Sequence, residues 1–273
     1  QAEDGIRDIG VTGVQTCALP ILPEYALKLA ETFWPGPLTL VLHRSKLASD
    51  LVTGNQDLVA VRVPKNETTS KLLRNLKEEG IYGLVAPSAN RFQEVSPTSA
   101  QDVFNSLGVF LGEDDLILDN GICSIGIEST IVDCTGESPR ILRYGYISQK
   151  NILESLQISI PSFSFNQAEQ TSDALLIRVP GMSQRHYSPN AEVHLTGHPE
   201  KGDGFIALSM VNTPTGAVRL AAPANVDDYA YLLYRALRSA DKQGIKRIFV
   251  VPPTGEGLAE AIRDRLNRAA QTP

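Results

Sequence analysis

Cysteine is scarce in this 273-residue chain: Cys17, Cys123 and Cys134 stand too far apart for a Cys-x-x-Cys pair and are odd in number. That excludes a Cys-x-x-Cys metal or redox pair and makes a disulfide framework a poor fit, leaving buried or incidental thiols in a reducing compartment as the expectation. No run approaches the roughly 18 consecutive apolar residues of a membrane span, and no segment resembles a signal peptide, so a cytoplasmic location without a membrane partner is expected. Basic charge is lacking as well. With 25 Lys and Arg against 31 Asp and Glu the net charge is −6, which argues against nucleic-acid binding by charge alone, because phosphate neutralisation needs clustered cations. There is no Gly-x-Ser-x-Gly elbow, and His43, His186, His194 and His198 keep no diagnostic spacing to a Ser or Cys, so nucleophilic hydrolysis is disfavoured. His194 and His198 are four apart, but Val193 and Pro199 oppose a helix there, and a structural or surface role is expected for both.

What is present is enough apolar residue, 42% of the chain, for two modest cores. Residues 1–20 have no sustained periodicity and read as a non-native stretch fused to a truncated reading frame. After Pro23, a helix is expected over 24–33 and a strand over 38–42, separated by Trp34-Pro35-Gly36-Pro37. Strands at 58–63, 83–86, 116–118, 129–132 and 141–143 and helices at 68–79 and 99–107 follow. Strands and helices mix rather than alternate, so a mixed-direction sheet with packed helices is expected. Residues 157–173 shift to Ser, Gln, Phe and Pro, an irregular connection that continues to Pro189. Beyond Asn190, strands at 193–195, 205–208 and 248–251 with helices at 226–240 and 257–269 make a small α/β unit. It has neither a Gly-x-Gly-x-x-Gly nor a Gly-x-x-x-x-Gly-Lys-Ser/Thr loop to mark a nucleotide domain in its own right.

Between residues 59 and 143, apolar strands repeatedly end in an Arg, in hydroxyls or in small residues. Arg62 closes Val59-Ala60-Val61-Arg62-Val63-Pro64, where a guanidinium either pairs with a structural carboxylate or meets a ligand carboxylate or phosphate in fork geometry. In Ala86-Pro87-Ser88-Ala89-Asn90 the small side chains let an anion approach the backbone, or make a plain turn with Asn90 as a cap. Ser96-Pro97-Thr98 is a helix start or a further polar contact. Glu128-Ser129-Thr130 sets hydroxyls at the head of Ile131-Val132-Asp133, and Arg143 mirrors Arg62. Two arginines and four hydroxyls in such loops suit a substrate bearing a carboxylate and a polyphosphate.

In these ordered blocks, together with Trp34-Pro35-Gly36-Pro37-Leu38-Thr39 and Leu142-Arg143, the chain resembles the YrdC-like threonylcarbamoyl-AMP synthase family in its longer, two-domain form. Tyr231 to Arg238 and Ala261 to Ala270 look like that form's accessory domain, and Pro180-Gly181-Met182 with Arg185-His186-Tyr187-Ser188-Pro189 resembles the segment closing over the family's active site. The resemblance implies an open twisted mixed sheet with packed helices over residues 21–155, a linker over 156–189, and a smaller Rossmann-like α/β domain over 190–273. It implies that L-threonine, bicarbonate and ATP give threonylcarbamoyl-AMP and pyrophosphate, the product passing to the tRNA threonylcarbamoyl transferase machinery, with a weak tRNA or RNA contact as a further expectation. Carried across residue by residue, Arg62, Ser129 and the backbone at Ala86 hold threonine. Leu58, Ser88, Ser96, Arg143 and Tyr187 meet ATP, Asn90 supports its loop, and Mg²⁺ accompanies the triphosphate.

The family's opening motif, with a Lys-x-Arg pair, has no counterpart here; Leu58 stands where Thr is common, and Ser183-Gln184 where Lys-Tyr is usual. The chain is therefore expected to be a fragment of the synthase with weak or no activity. The alternatives are a carbamoyl-adenylate-forming maturation factor, whose zinc and acylphosphatase-like segments are not seen, and a non-catalytic RNA-binding or regulatory module of the same fold.

Overall fold

Helix α1 (Glu24–Phe33) starts behind Pro23 and buries Ala26, Leu29 and Ala30, one stripe at three- and four-residue spacing. A computed structural model describes this and the other elements below, over residues 22–45, 48–91, 93–158 and 187–271. The stretch 1–20 read as non-native and most of the connection at 156–189 lie outside the described residues. The chain divides into two compact units, Gln1–Ala86 with Ser129–Val179, and Pro87–Glu128 with Pro180–Pro273.

In the first unit, α1 is stopped by Trp34 and Pro35, and the chain enters β1 (Leu38–His43). Then come α2 (Asp50–Thr53), β2 (Leu58–Val61), α3 (Glu67–Glu78), β3 (Thr130–Asp133), β4 (Arg140–Arg143) and α5 (Gln149–Leu156). The sheet order is β2-β1-β3-β4, with β1 and β3 parallel and the other pairs antiparallel, which is the expected mixed sheet. Leu38, Leu40, Leu42 and Val132 point to one face and pack with Ala26, Leu29, Ala30, Trp34, Cys134 and Ile152. The Trp34 indole Nε1 donates to Leu38 O at 2.7 Å, satisfying a buried donor. Burial, with Asp133 beside it, pushes the Cys134 thiol well up, so it is a packing residue.

The second unit holds α4 (Ala100–Leu107), then β5 (Glu192–His194), β6 (Gly204–Ile206), β7 (Val218–Ala221), α6 (Val226–Lys242), β8 (Arg247–Val250) and α7 (Leu258–Ala269). Its sheet runs β5-β8-β6-β7, wholly parallel, and Ile206, Ile248 and Val250 are buried, as parallel strands require. Ser99 caps α4 by accepting from Asp102 N, and Asn225 caps α6 by accepting from Asp228 N. His194 lies on β5 with its ring stacked on Phe249 at 4.9 Å, a structural role as expected. Exposed His198 sits outside any helix, so no helical histidine pair forms.

Two expected strands are corrected. Residues 83–86 and 116–118 form no regular structure, and Leu84, Val85, Leu116 and Leu118 are exposed. An extended segment becomes a strand only when a neighbour takes its N–H and C=O groups, and no described strand pairs with either. Helices α2 and α5 and strand β7 were not anticipated.

Candidate active site

The first unit gathers polar side chains at one end of its sheet. β1 and β3 begin there, and antiparallel β2 and β4 end there. Extending the β1–β2 ladder by one residue from the Leu40–Val61 pair sets Arg62 opposite Thr39. Thr39 pairs with Ile131, and Ile131 with Arg143, so Arg62, Thr39, Ile131 and Arg143 form one row across four strands. Three strand spacings put the two arginine Cα atoms roughly 14 Å apart, a span that a nucleotide-sized ligand covers.

Alternation fixes the face. Leu38 and Leu40 point into the core, so Thr39 points away from it; Val61 and Val63 pack against the core, so Arg62 points away as well. Arg143 needs a further device, because Ile141, two residues before it, faces the core. Val132 pairs with Ile141 while Ile131 pairs with Arg143, so β4 carries one extra residue, Leu142. This bulge turns Arg143 to the face of Thr39 and Ser129.

The contacts agree. Arg143, 8% exposed, donates from Nε and Nη2 to Ser129 O at 3.2 and 3.0 Å and from Nη2 to Ser129 Oγ at 3.2 Å. Ser129 Oγ is 2.7 Å from Thr39 Oγ1. Arg62 Nε donates to Gly36 O at 2.9 Å, and Gly36 N to Val63 O at 2.8 Å. Pro37 O accepts from Thr130 N at 3.0 Å, so the 34–37 turn links the Arg62 strand to the Ser129 strand. Glycine is required at 36, where a Cβ would lie 2.1 Å from Phe33 O.

The other expected site residues lie elsewhere. Leu58 is on the Arg62 face of β2 but at the far end of that strand, opposite His43. Ala86 and Ser88 are exposed in a segment without regular structure. Asn90 Nδ2 donates to Arg91 O and Glu94 O, at 2.8 and 3.1 Å, and braces its own loop as expected. In the second unit, buried Ser96 donates to Glu128 Oε1 at 2.6 Å. Tyr187 is 1% exposed, stacked on Tyr234 at 5.7 Å and beneath the Arg265 guanidinium at 5.1 Å.

Two features escaped the sequence reading. Thr39 sat inside the quoted Trp34–Thr39 block without a role. Glu128, read as part of a strand head, accepts from Ser96, from Tyr234 OH and from Arg265 Nε. Chemically, the sheet end offers two guanidiniums and two hydroxyls on one face, suited to a carboxylate or a phosphate. Among the described residues no group of three His, Cys, Asp or Glu could hold a metal ion, and no helix is long and apolar enough to cross a membrane.

The Sua5–YciO–YrdC family model, described as telomere recombination, matches residues 11–145, and a model described as threonylcarbamoyl-AMP synthase, C-terminal domain, matches residues 147–271. A threonylcarbamoyl-AMP synthase of Pyrococcus abyssi is 35% identical over 264 residues, covering 91% of this chain and 74% of the relative. One of Bacillus subtilis is 33% identical over 269 residues, covering 91% and 73%. The crystal structure of P. abyssi Sua5 complexed with L-threonine matches with a TM-score of 0.74 at 32% identity, over 93% of this chain and 76% of that one. The chain therefore belongs to the threonylcarbamoyl-AMP synthase family, in the form that carries both the Sua5–YciO–YrdC domain and the synthase's C-terminal domain.

Proposed function

We propose that this chain is an L-threonylcarbamoyladenylate synthase, a nucleotidyltransferase that makes threonylcarbamoyl-AMP and pyrophosphate from L-threonine, bicarbonate and ATP for tRNA modification in the cytoplasm. Arg62, Thr39, Ser129 and Arg143 on one face of one sheet end carry the reading, because they supply fork donors and hydroxyls for an amino-acid carboxylate and a phosphate together. Arg62 and Ser129, with the backbone at Ala86, hold threonine. Leu58, Ser88, Ser96, Arg143 and Tyr187 are assigned to ATP. The threonine amine takes up carbon dioxide from bicarbonate, the amine proton and the bicarbonate hydroxide leaving as water, and a carbamate oxygen then attacks the α-phosphate as its bond to the departing pyrophosphate breaks in line. The protein's part is to orient the two reactants and stabilise charge, with no covalent intermediate. Mg²⁺ is assigned to the triphosphate of the ATP substrate, where a divalent ion offsets charge on the leaving pyrophosphate. The domain division of 21–155, 156–189 and 190–273 and delivery to the tRNA transferase machinery complete the proposal.

The test is pyrophosphate release by the full chain, with calorimetric titration of L-threonine. Release that needs threonine, bicarbonate and ATP together supports the reading. No threonine-dependent release and no threonine binding overturn it, and salt-sensitive tRNA binding in that case would favour the RNA-binding module.

A further inference from the structure

We propose that the second unit carries a site for a free α-amino acid, built by Arg91, Glu94, Ser188, Arg238 and Asp241. These side chains line one cavity of about 240 Å³, and all of them belong to the second unit. That volume suits a small molecule, since pockets for drug-sized ligands run to roughly 300–1,000 Å³. The wall is polar, Val95 being its one apolar residue among those described. A ligand with a small polar side chain fits such a lining.

Each of the four charged side chains is held at one end and open at the other. Arg91 Nε donates to Ser106 O at 3.1 Å, and its guanidinium lies 5.2 Å from the Phe110 ring centroid, which leaves both Nη groups for a ligand. Arg238 donates from Nε to Ser96 O at 3.3 Å and from Nη2 to Val95 O, which leaves Nη1. Glu94 Oε2 accepts from Ser106 Oγ at 2.6 Å, and Asp241 Oδ1 accepts from Asn190 N and Ala191 N at 2.9 and 3.2 Å. Glu94 Oε1 and Asp241 Oδ2 stay open. Among the described residues no ion pair joins either arginine to either carboxylate, although both signs line one cavity. A ligand bearing both charges answers all four, its carboxylate in the guanidinium forks and its ammonium donating to the carboxylates. A simple anion would leave the carboxylates unanswered, and a simple cation the arginines. Ser188 adds a separate observation: its Oγ is buried without a hydrogen-bond partner, which folded proteins rarely leave so. Its backbone is fixed, because Ser188 N donates to Gln93 O at 3.0 Å and a parallel bridge pairs Ser188 with Glu94. A polar ligand atom in the cavity supplies the missing partner.

The test is amide NMR of the full chain titrated with L-serine. N-acetyl-L-serine, which lacks the ammonium, L-serine methyl ester, which lacks the carboxylate, and inorganic phosphate are the controls. The amides of Glu94, Ser106, Ser188 and Ala191 report on the cavity, and those of 129–131 on the Arg62–Ser129 row, so this proposal and the synthase reading fail separately. Expected are saturable shifts at the four cavity amides with L-serine, and binding about tenfold weaker or worse for each control. Ser188→Ala removes a hydroxyl that has no partner to lose, so melting should be unchanged or raised while L-serine affinity falls about three- to tenfold. Arg238→Met and Glu94→Gln should each weaken L-serine binding by about tenfold or more, since each removes a charged partner. No saturable shift at the cavity amides, or shifts confined to 129–131, overturn the proposal. So does phosphate binding as tight as that of L-serine, which would mark an anion site. Unchanged L-serine affinity in folded Arg238→Met also overturns it. If that variant does not fold, unchanged affinity in Glu94→Gln and Ser188→Ala does so.

Discussion

Arg143 holds Ser129 at two atoms, donating to its carbonyl oxygen from Nε and Nη2 and to its hydroxyl from Nη2, all within 3.0–3.2 Å. A lysine keeps the charge but not the fork. Hydrogen bonds from a charged donor are worth about 1.5–3 kcal/mol each, so Arg143→Lys should weaken L-threonine binding about 10- to 100-fold. Calorimetric titration measures it, and a change under twofold would contradict the role.

Thr39 is the second partner of the Ser129 hydroxyl, at 2.7 Å. Thr39→Val preserves the shape and removes the hydroxyl, at a cost of about 0.5–1.5 kcal/mol. Threonine affinity should fall by less than about tenfold, with melting shifted by only a few degrees. Ser129→Ala removes the hydroxyl at the centre and should have the larger effect on affinity in the same titration.

Asp102 accepts from the Thr98 amide and hydroxyl at 3.1 and 3.0 Å. Burial pushes its carboxyl up, but these hydrogen bonds, with the Arg238 charge, hold it below its ordinary 3.8. A depressed carboxyl stabilises the fold above its unfolded pKa and loses that contribution as pH falls through the folded value. The parent should therefore lose melting temperature on acidification below about pH 4 more steeply than Asp102→Asn, which has no proton to take up there. Parallel melting curves across that range check the slope.

Gly126 has no room for a side chain against α6. Gly126→Ala should destabilise the second unit by roughly 1–3 kcal/mol, the usual cost of overpacking. Denaturant unfolding gives the value, and a neutral result would mean that the loop shifts freely.

The apolar helices and strands were legible because their periodicity matches what the fold buries: α1 by Ala26, Leu29 and Ala30, α6 by Tyr229, Leu233, Tyr234 and Leu237. Short, weakly marked elements were not. Helix α5 has a capping box, but with Asn151 at the third position instead of the usual Glu or Gln. Residues 83–86 have a strand's composition without a strand's partner. At the site, the positions of Arg62, Ser129 and Arg143 were visible as polar ends of apolar runs, whereas the bulge that turns Arg143 leaves no sign at Leu142. Glu128 was invisible for a different reason: what it binds is set by tertiary contacts more than a hundred residues away.

The path of the chain through its two units sets a schedule for biosynthesis. Segment 87–128 belongs with a region that begins at residue 180, and the whole first unit is completed between them. On a ribosome adding roughly 5–20 residues per second, Glu128 waits on the order of ten seconds before Arg265 is made. During that interval Val109, Phe110, Leu116 and Leu118, exposed even in the finished molecule, stand beside a loop whose anchor does not yet exist. Early translational arrest would leave this stretch to chaperones, and expression at lower temperature, where nascent chains associate less, should raise the yield of folded protein.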